Sequence, residues 1–423
     1  MRILLVSCGF PYPLDGGGPN IIYHWLEAAS TTHDAHLLVI SEQSNVPESI
    51  PGLPRLKIHS SQIQISRTLW GRARRQAASL FRSTPATSLV LMSPAVQHHL
   101  KDLLNRYHFD LIILAENIVA GFAPLLRSSS PVLLLKLFVD ASEAKDHRMR
   151  HGRFHPRWML EEYLSGRFEA NTCRAASMVC CVTQQDVERL ISRYRLSTPV
   201  VPIPLGVDLN RFPCRGNVPA TQVIGFIGGL TWGGNVDAMH WLCREVLPRV
   251  WRTHPDAKLL AVGPGGDSFR SLYADSRIHF AGRVPSIPEA MKEVSVGVVP
   301  IVSGTGMRTK LLDMLSMGIP TVSTSLGAEG LSYLQGEHFL IADSGETFAN
   351  SLCTLLSDDD LRRRLAASGR LLASAYSWEK IYPKILEVFD LAFRQYHQNT
   401  INVRGAQAWS YATSGGAGKS GPP

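Results

Sequence analysis

The chain has 423 residues, of which 45% are hydrophobic, 18% charged and 8% aromatic. This length suggests two or three domains, and the composition excludes a fibrous or wholly disordered protein. A net charge of +8 suits nucleic acid, an anionic membrane or phosphorylated small molecules equally, so charge alone does not identify the partner.

The cysteines and the N-terminus indicate the compartment. The seven cysteines are scattered and form no Cys-x-x-Cys pair, which predicts buried thiols in a reducing environment. The first apolar run, within residues 1–7, is too short for a signal peptide, and no stretch approaches the roughly 18 apolar residues of a membrane span. We therefore expect a cytoplasmic protein, either soluble or peripheral on the inner membrane face.

Short apolar runs alternate with longer amphipathic segments along the first half of the chain. Two of the runs are almost entirely apolar, as strands buried on both faces of a parallel sheet are. The predicted strands are Arg2–Ser7, His36–Ser41, Leu111–Ala115, Val132–Phe138 and Ser177–Val182. The pattern predicts the α/β class, with helices covering a doubly wound sheet.

A second alternating series follows a proline-rich segment at residues 199–208, which we interpret as a linker. We predict an N-terminal Rossmann-like domain over 1–204 and a C-terminal one over 205–378. The predicted strands of the second domain are Val223–Ile227, Lys258–Val262, Ile278–Ala281, Gly297–Ile301 and Thr321–Ser323. We expect the last helix, 379–396, to pack back on the first domain and 399–423 to form a disordered tail.

Two facing parallel sheets place their ligand-binding strand ends on either side of a cleft, as suits an enzyme that joins two substrates. The segment from Val299 to Val322 is a strand, a Gly-containing loop, a helix and another strand. Unpaired amides near Gly306, with Arg308 and Lys310 beside them, would hold a pyrophosphate. Asp313, two turns further on, would accept the hydroxyls of a ribose. The alternative is that the two cations are solvated on a surface helix.

The run from Asp313 to Val322, Asp-Met-Leu-Ser-Met-Gly-Ile-Pro-Thr-Val, resembles the donor-site motif of the group 1 glycosyltransferases, which have the GT-B fold. Asp313 matches the second glutamate of their Glu-x7-Glu motif, whereas Thr305 stands where the first would be. A branch common in bacterial exopolysaccharide clusters also lacks that glutamate and carries basic residues, which Arg308 and Lys310 match.

The resemblance extends along most of the chain, including the interdomain segment Pro204–Phe212 and the loop Gly327–Leu331. It implies donor binding by residues of five loops and one helix. These are Gly16, Gly17 and Gly18, then Gly228 and Gly229, Gly263, Gly282 with Arg283 and Val284, and Thr305, Gly306, Met307, Arg308, Lys310 and Asp313.

The resemblance further implies a metal-independent glycosyltransferase that uses a UDP- or GDP-sugar and retains anomeric configuration. Its acceptor would be a glycan, a lipid-linked or a small molecule. Arg308, Lys310 and Asp140 are the catalytic candidates, although an Asp at a helix start also serves as a cap. The departures at Thr305 and Asp313 keep open a non-catalytic subunit of a polysaccharide assembly machine. An epimerase or oxidoreductase is disfavoured because the interdomain segment fits neither, and the dinucleotide fingerprint is absent.

Two basic stretches lie in the first half of the chain. Residues 67–82 combine five arginines with Leu69, Trp70, Leu80 and Phe81, and suit either an anionic membrane surface or a solvated helix face. Residues 147–157 mix arginines with histidines that have no carboxylate partner, so we predict no metal site there. Separately, with a nucleotide sugar as the expected partner, we expect no nucleic-acid partner.

Overall fold

The computed structural model describes residues 1–14, 16–65, 68–82, 84–151 and 154–414. Within them the first half of the chain forms a seven-stranded parallel sheet in the order β3-β2-β1-β4-β5-β6-β7. Its strands are β1 (Arg2–Cys8), β2 (Asp34–Ser41), β3 (Lys57–Gln62), β4 (Leu111–Ala115), β5 (Val132–Lys136), β6 (Met178–Cys181) and β7 (Val200–Pro202).

The second half forms a six-stranded parallel sheet in the order β10-β9-β8-β11-β12-β13. Its strands are β8 (Val223–Ile227), β9 (Lys258–Val262), β10 (Ile278–Gly282), β11 (Val296–Val299), β12 (Thr321–Ser323) and β13 (Leu340–Ile341). Both sheets are doubly wound, which confirms the predicted class of two parallel-sheet α/β domains.

Helices cover the faces of both sheets. In the first half they are α1 (Gly17–Thr32), α2 (Leu69–Arg82), α3 (Ala86–Leu91), α4 (Pro94–Tyr107), α5 (Ala123–Leu126), α6 (Asp140–His151), α7 (Pro156–Ala175) and α8 (Gln184–Tyr194), with a 3-10 turn at Asn117–Phe122. In the second half they are α9 (Gly233–Trp241), α10 (Leu247–Val250), α11 (Asp267–Leu272), α12 (Ile287–Ala290), α13 (Thr309–Ser316), α14 (Gly345–Ser357), α15 (Asp359–Ala375) and α16 (Trp378–Ser414), with a π-helical segment at Leu242–Val246. Within the described ranges, none of these helices is both long and apolar enough to cross a bilayer.

The apolar strands and the polar caps explain why these elements form. Every residue of β4 and β5 is buried, because helices pack on both faces of the sheet. Side chains also define helix starts. Thr183 accepts a hydrogen bond from the Asp186 amide at the start of α8, and Ser344 caps α14 in the same way.

Three features differ from the sequence prediction. Val200–Pro202, predicted as linker, pairs with β6 as an edge strand, where proline is tolerated because one side needs no backbone donor. The edge strands β3 and β13 were not predicted, since one is polar and the other only two residues long. The predicted disordered tail is wrong for 399–414, which continue α16; the glycines and prolines behind that prediction lie mainly after Ser414, outside the described residues.

The last helix returns to the first domain and packs on α1. Trp378 stacks on His24 with ring centroids 4.2 Å apart, and Phe389 packs edge-on against Trp25. The chain crosses between the sheets twice at one place, because Val207 forms a parallel bridge with Ser377. The proposed domain boundary at 204/205 lies beside this double crossing.

Candidate donor and acceptor site

The loop between β11 and α13 lies against the first domain. Gly304 and Gly306 adopt φ values of 94° and 86°, which glycine reaches without strain. A side chain at Gly306 would overlap the carbonyl oxygen of Leu137, which follows β5. Thr305 Oγ1 accepts a hydrogen bond of 3.1 Å from the Val139 amide, and the Gly304 amide donates to Asp146. The predicted donor loop therefore forms part of the domain interface.

Lys310 lies in the first turn of α13 and is 9% exposed. Its ammonium lies 4.6 Å from the centre of the Phe226 ring and donates to Asn235 Oδ1. Burial, with the nearby Arg308 charge, lowers the pKa of Lys310 to about 7. Among the residues the structure describes, Lys310 forms no salt bridge; its ammonium contacts an amide oxygen and an aromatic face, and the Asp313 charge acts on it without direct pairing.

Arg308 precedes α13 and is also buried. Its guanidinium donates to the carbonyl oxygens of Thr305, at 2.5 Å, and Ser303, at 3.4 Å, and lies 5.0 Å from the centre of the Trp232 ring. Arg308 thus closes the turn that presents the first amides of α13. The guanidinium and those amides concentrate positive charge at the carboxyl end of β11.

Asp313 is the buried acid of this cluster. Burial raises its pKa to about 7, while Arg211 and Lys310 act in the opposite direction. Arg211 also donates to the Leu14 carbonyl oxygen in the glycine loop of the first domain, at 2.9 Å. Arg308, Lys310 and Asp313 are therefore brought together: Arg308 precedes α13, Lys310 lies in its first turn, and Asp313 lies about one turn after Lys310.

The predicted phosphate and base loops lie at the carboxyl ends of β8, β9 and β10. A side chain at Gly228 would come within 2.7 Å of Lys310 Nζ, and one at Gly263 would overlap the Gly228 carbonyl oxygen. Gly229 packs beside Pro264, and Gly282, at φ 72°, borders open space. Since β10, β9, β8 and β11 are adjacent, these loops and α13 form one continuous edge. Arg283 is exposed on it, Val284 is half-buried, and Met307 is buried below it, where its sulfur accepts from the Leu205 amide.

Both carboxylate oxygens of Asp140 accept hydrogen bonds from neighbouring side chains of the protein. One carboxylate oxygen accepts from Asn117 at 2.7 Å and the other from Lys136 at 2.9 Å. Lys136 also pairs with Glu169, which in turn accepts from the Asp140 amide and the Tyr194 hydroxyl. Burial raises the pKa of Asp140 to about 6. This geometry favours a structural role for Asp140 over the predicted catalytic one.

Glu116 is a carboxylate that the sequence prediction missed. It follows β4, adopts φ 76°, and accepts from the Cys8 amide at 3.3 Å. A side chain at Gly18 would come within 3.3 Å of Glu116 Oε1, so this carboxyl faces the loop that contains Gly16, Gly17 and Gly18. Burial raises its pKa to about 7. The sequence signal was present: a single acid directly after an all-apolar strand.

A second contact joins the domains beyond the donor loop. Glu329, in the predicted Gly327–Leu331 loop, forms a two-pronged ion pair with Arg189 of α8, with one N–O distance of 3.0 Å. Arg189 also pairs with Asp186. Among the described residues no cluster of three or more His, Cys, Asp and Glu is arranged to hold a metal ion.

Comparison with known proteins identifies the family. A profile described as Glycosyltransferase Family 4 matches residues 71–211, and one described as Glycosyl transferases group 1 matches residues 221–358. The chain belongs to the group 1 glycosyltransferases. The second profile covers β8 to α14, and so includes all the loops of the candidate donor edge.

Curated relatives agree with this membership. A phosphatidyl-myo-inositol mannosyltransferase of Mycobacterium leprae is 28% identical over 153 residues, which are 34% of this chain and 41% of that protein. The protein of the same name from Mycobacterium tuberculosis is 25% identical over 224 residues, 49% of this chain and 58% of that one. The matched segments thus span about half the length of these curated relatives.

Solved structures show that this group 1 glycosyltransferase has the GT-B fold. Sucrose-phosphate synthase from Thermosynechococcus elongatus superposes with a TM-score of 0.70 at 18% identity, over 93% of this chain and 99% of that one. HepE from Anabaena, in complex with UDP and glucose, superposes with a TM-score of 0.63 at 15% identity, over 92% and 99%.

Proposed function

We propose that this protein transfers a sugar from a UDP- or GDP-sugar, bound by the second domain, to an acceptor bound by the first, with retention of configuration and without a metal ion. The observation that carries the proposal is the buried ammonium of Lys310 beside the buried guanidinium of Arg308: among the described residues Lys310 forms no salt bridge, and Asp313 is the buried acid that acts on its charge. Burying an unpaired cation costs free energy, and an anionic ligand offsets that cost.

A nucleoside diphosphate fits this edge of the sheet. Its phosphates would accept from the first amides of α13 and from Lys310, whose ammonium lies close against the backbone at Gly228. The Asp313 carboxylate would accept the ribose hydroxyls, and the backbone of Gly282–Val284 would contact the base. During transfer these cations would stabilise the negative charge that develops on the leaving diphosphate.

Known relatives support this donor class. HepE of Anabaena has been solved with UDP and with UDP-glucose, and the mycobacterial relatives are named mannosyltransferases. These observations favour a nucleotide-sugar donor for the present chain.

We also propose that the first domain works on an anionic membrane surface, through α2. Trp70 and Phe81 are 87% and 93% exposed and lie eleven residues apart, on one face of the helix. Arg74 and Arg82 are exposed on the same helix, and no acid occurs between Glu48 and Asp102. Arg67 and the side chains of Leu69 and Arg72 lie outside the described residues. Vesicle sedimentation tests this: binding to anionic but not neutral vesicles is expected, and equal or no binding to both would refute it.

Calorimetric titration with UDP, GDP and ADP tests the donor site. We expect micromolar binding of one nucleotide, lost in an Arg308→Ala/Lys310→Ala double variant and unaffected in Lys292→Met, which changes an exposed lysine on the same domain. Product analysis with the matching nucleotide sugar, with and without a chelator, then tests transfer, retention and metal independence. If no nucleotide binds at millimolar concentration, the donor-site assignment fails and a non-catalytic subunit becomes the better hypothesis.

A further inference from the structure

Glu116 has a backbone conformation that is unfavourable for any residue with a side chain. It directly follows β4, with φ 76° and ψ 146°, a region that glycine adopts freely and other residues reach only with strain. Its side chain is half-buried, and among the described residues no cation pairs with the carboxylate. Glycine would avoid both costs. Strained residues of this kind are concentrated at ligand sites, where the surrounding structure fixes the direction of the side chain.

The two carboxylate oxygens of Glu116 have different surroundings. Oε2 accepts a hydrogen bond of 3.3 Å from the Cys8 amide at the end of β1. Among the described residues none donates to Oε1, which faces the glycine loop, because a side chain at Gly18 would lie 3.3 Å from it. One oxygen therefore fixes the carboxyl group, and the other is directed to a ligand.

This carboxyl group lies on the first-domain side of the cleft, near the donor loop. Leu137 follows β5, the strand next to β4, and its side chain would lie 3.9 Å from a side chain at Gly18. The carbonyl oxygen of Leu137 lies against Gly306, in the loop that precedes α13. Leu137 thus connects the glycine loop that Glu116 faces to the loop that would hold the diphosphate. A hydroxyl bound to Oε1 would lie on the acceptor side of that diphosphate.

The predicted catalytic acid and the leaving group are both poor proton acceptors. Asp140 pairs with Lys136 and accepts from Asn117, so both of its oxygens are engaged. The leaving diphosphate would be a weak base, because Lys310 and the first amides of α13 would stabilise its negative charge. Transfer to a hydroxyl releases a proton, and Glu116 is a carboxylate placed to take it.

We infer that Glu116 is the base that binds the acceptor hydroxyl and takes its proton through Oε1. The acceptor O–H bond breaks and its proton moves to Oε1 as the acceptor oxygen bonds to the anomeric carbon of the donor sugar. The bond from that carbon to the diphosphate breaks, and its electron pair leaves with the diphosphate. Water then takes the proton from Glu116 and restores the carboxylate. This inference rests on the proposed function, because it assigns a residue to that reaction.

Hydrolysis of the donor tests this role, because water is the smallest hydroxyl compound that can enter the acceptor site. The donors are UDP- and GDP-linked glucose, galactose, mannose and N-acetylglucosamine at saturating concentration. Glu116→Gln should lower kcat by at least about a hundredfold. Nucleotide affinity should change less than about twofold, since glutamine still accepts from the Cys8 amide. Glu188→Gln, which changes an exposed acid of α8, should leave both quantities unchanged.

Chemical rescue separates proton transfer from packing. Glu116→Gly suits the backbone conformation and leaves a space where the carboxyl group was. Formate, a carboxylate small enough to enter that space, should raise the kcat of this variant at least about tenfold. Chloride at the same concentration should not.

The pH profile gives a second signature. At saturating donor, kcat of the parent should rise through about pH 7, because the base must be ionised and burial raises the pKa of Glu116 to about 7. The neighbouring Cys8 thiol stays neutral, since burial raises its pKa to about 11, and Lys136 is paired with Asp140. Asp313 titrates in the same range but is present in both proteins, so a rise that is lost in Glu116→Gln belongs to Glu116.

Several outcomes would overturn the inference. These are a kcat of Glu116→Gln close to that of the parent, an unchanged pH profile in that variant, and no effect of formate on Glu116→Gly. A parent protein that binds a nucleotide but releases sugar from none of these donors would also overturn it. Absence of nucleotide binding would instead refute the proposed donor site.

Discussion

Nucleotide binding should be accompanied by uptake of a proton at Lys310. Because its pKa is about 7 without ligand, roughly nine in ten molecules carry a neutral Lys310 at pH 8. A diphosphate beside the amine favours the charged form and raises that pKa again. Binding at pH 8 should therefore take up about 0.9 proton. Above pH 7, affinity should fall about tenfold per pH unit.

Conditions at pH 8 isolate this lysine. Asp313, whose pKa is about 7, is already mostly ionised there, and a terminal phosphate with a second pKa of about 6 is fully ionised. Titrations in buffers of different ionisation enthalpy give the proton count directly. Lys310→Met should abolish the uptake, whereas Lys292→Met should preserve it. An uptake near zero in the parent protein, or one that persists in Lys310→Met, would show that Lys310 does not contact the diphosphate.

Three further variants test the packing around the site. Glu116→Gln should raise the free energy of unfolding by about 3 kcal/mol at pH 8 and hardly at pH 4. The raised pKa of Glu116 means that its protonated form is favoured in the folded state, so this contribution to stability is present at low pH and is lost as the pH rises through about 7. If urea unfolding shows the same difference between variant and parent at both pH values, this reasoning is contradicted. Gly263→Ala should cost at least about 2 kcal/mol and weaken nucleotide binding, since its φ of 145° and the nearby backbone exclude a side chain, whereas Gly233→Ala, in open space, should be neutral by the same measurements. Lys136→Met should lower the free energy of unfolding by about 3–5 kcal/mol, because it leaves the Asp140 and Glu169 carboxylates without their cation. If the urea unfolding midpoint of the variant equals that of the parent, the network is solvated instead.

The fold was largely predictable because its central strands are buried on both faces. Four predicted strands, among them Leu111–Ala115 and Lys258–Val262, match the observed bounds to the residue. The edge strands were missed for the opposite reason. Lys57–Gln62 is polar and half-exposed, so the hydrophobic pattern that marks a strand is absent. The hydrophobic periodicity of a sequence indicates which residues are buried. An edge strand is held mainly by its backbone hydrogen bonds, so this periodicity does not reveal it.

The donor edge was predicted through local motifs, because Gly228, Arg308, Lys310 and Asp313 each belong to a strand–loop–helix segment that is short in sequence. Contacts between distant segments were not predictable in this way. No pattern near Asp140 shows that Glu169, twenty-nine residues later, binds its amide and shares its lysine. Side-chain partners across helices depend on tertiary packing, which a single sequence does not display.

The double crossing at Val207 and Ser377 determines how the two domains can move. Both connections pass through one point, where Val207 receives a backbone hydrogen bond from Trp378 and donates one to Tyr376. Because the two connecting segments are hydrogen-bonded to each other there, they act as a single hinge. The domains therefore move mainly by rotation about this hinge, and the distance between them changes little close to it. The Arg189–Glu329 ion pair and the Thr305–Val139 hydrogen bond lie away from this hinge and must break for the domains to part. A substrate can enter between the domains only after these contacts break, so their combined free energy sets the fraction of molecules in which the cleft is open.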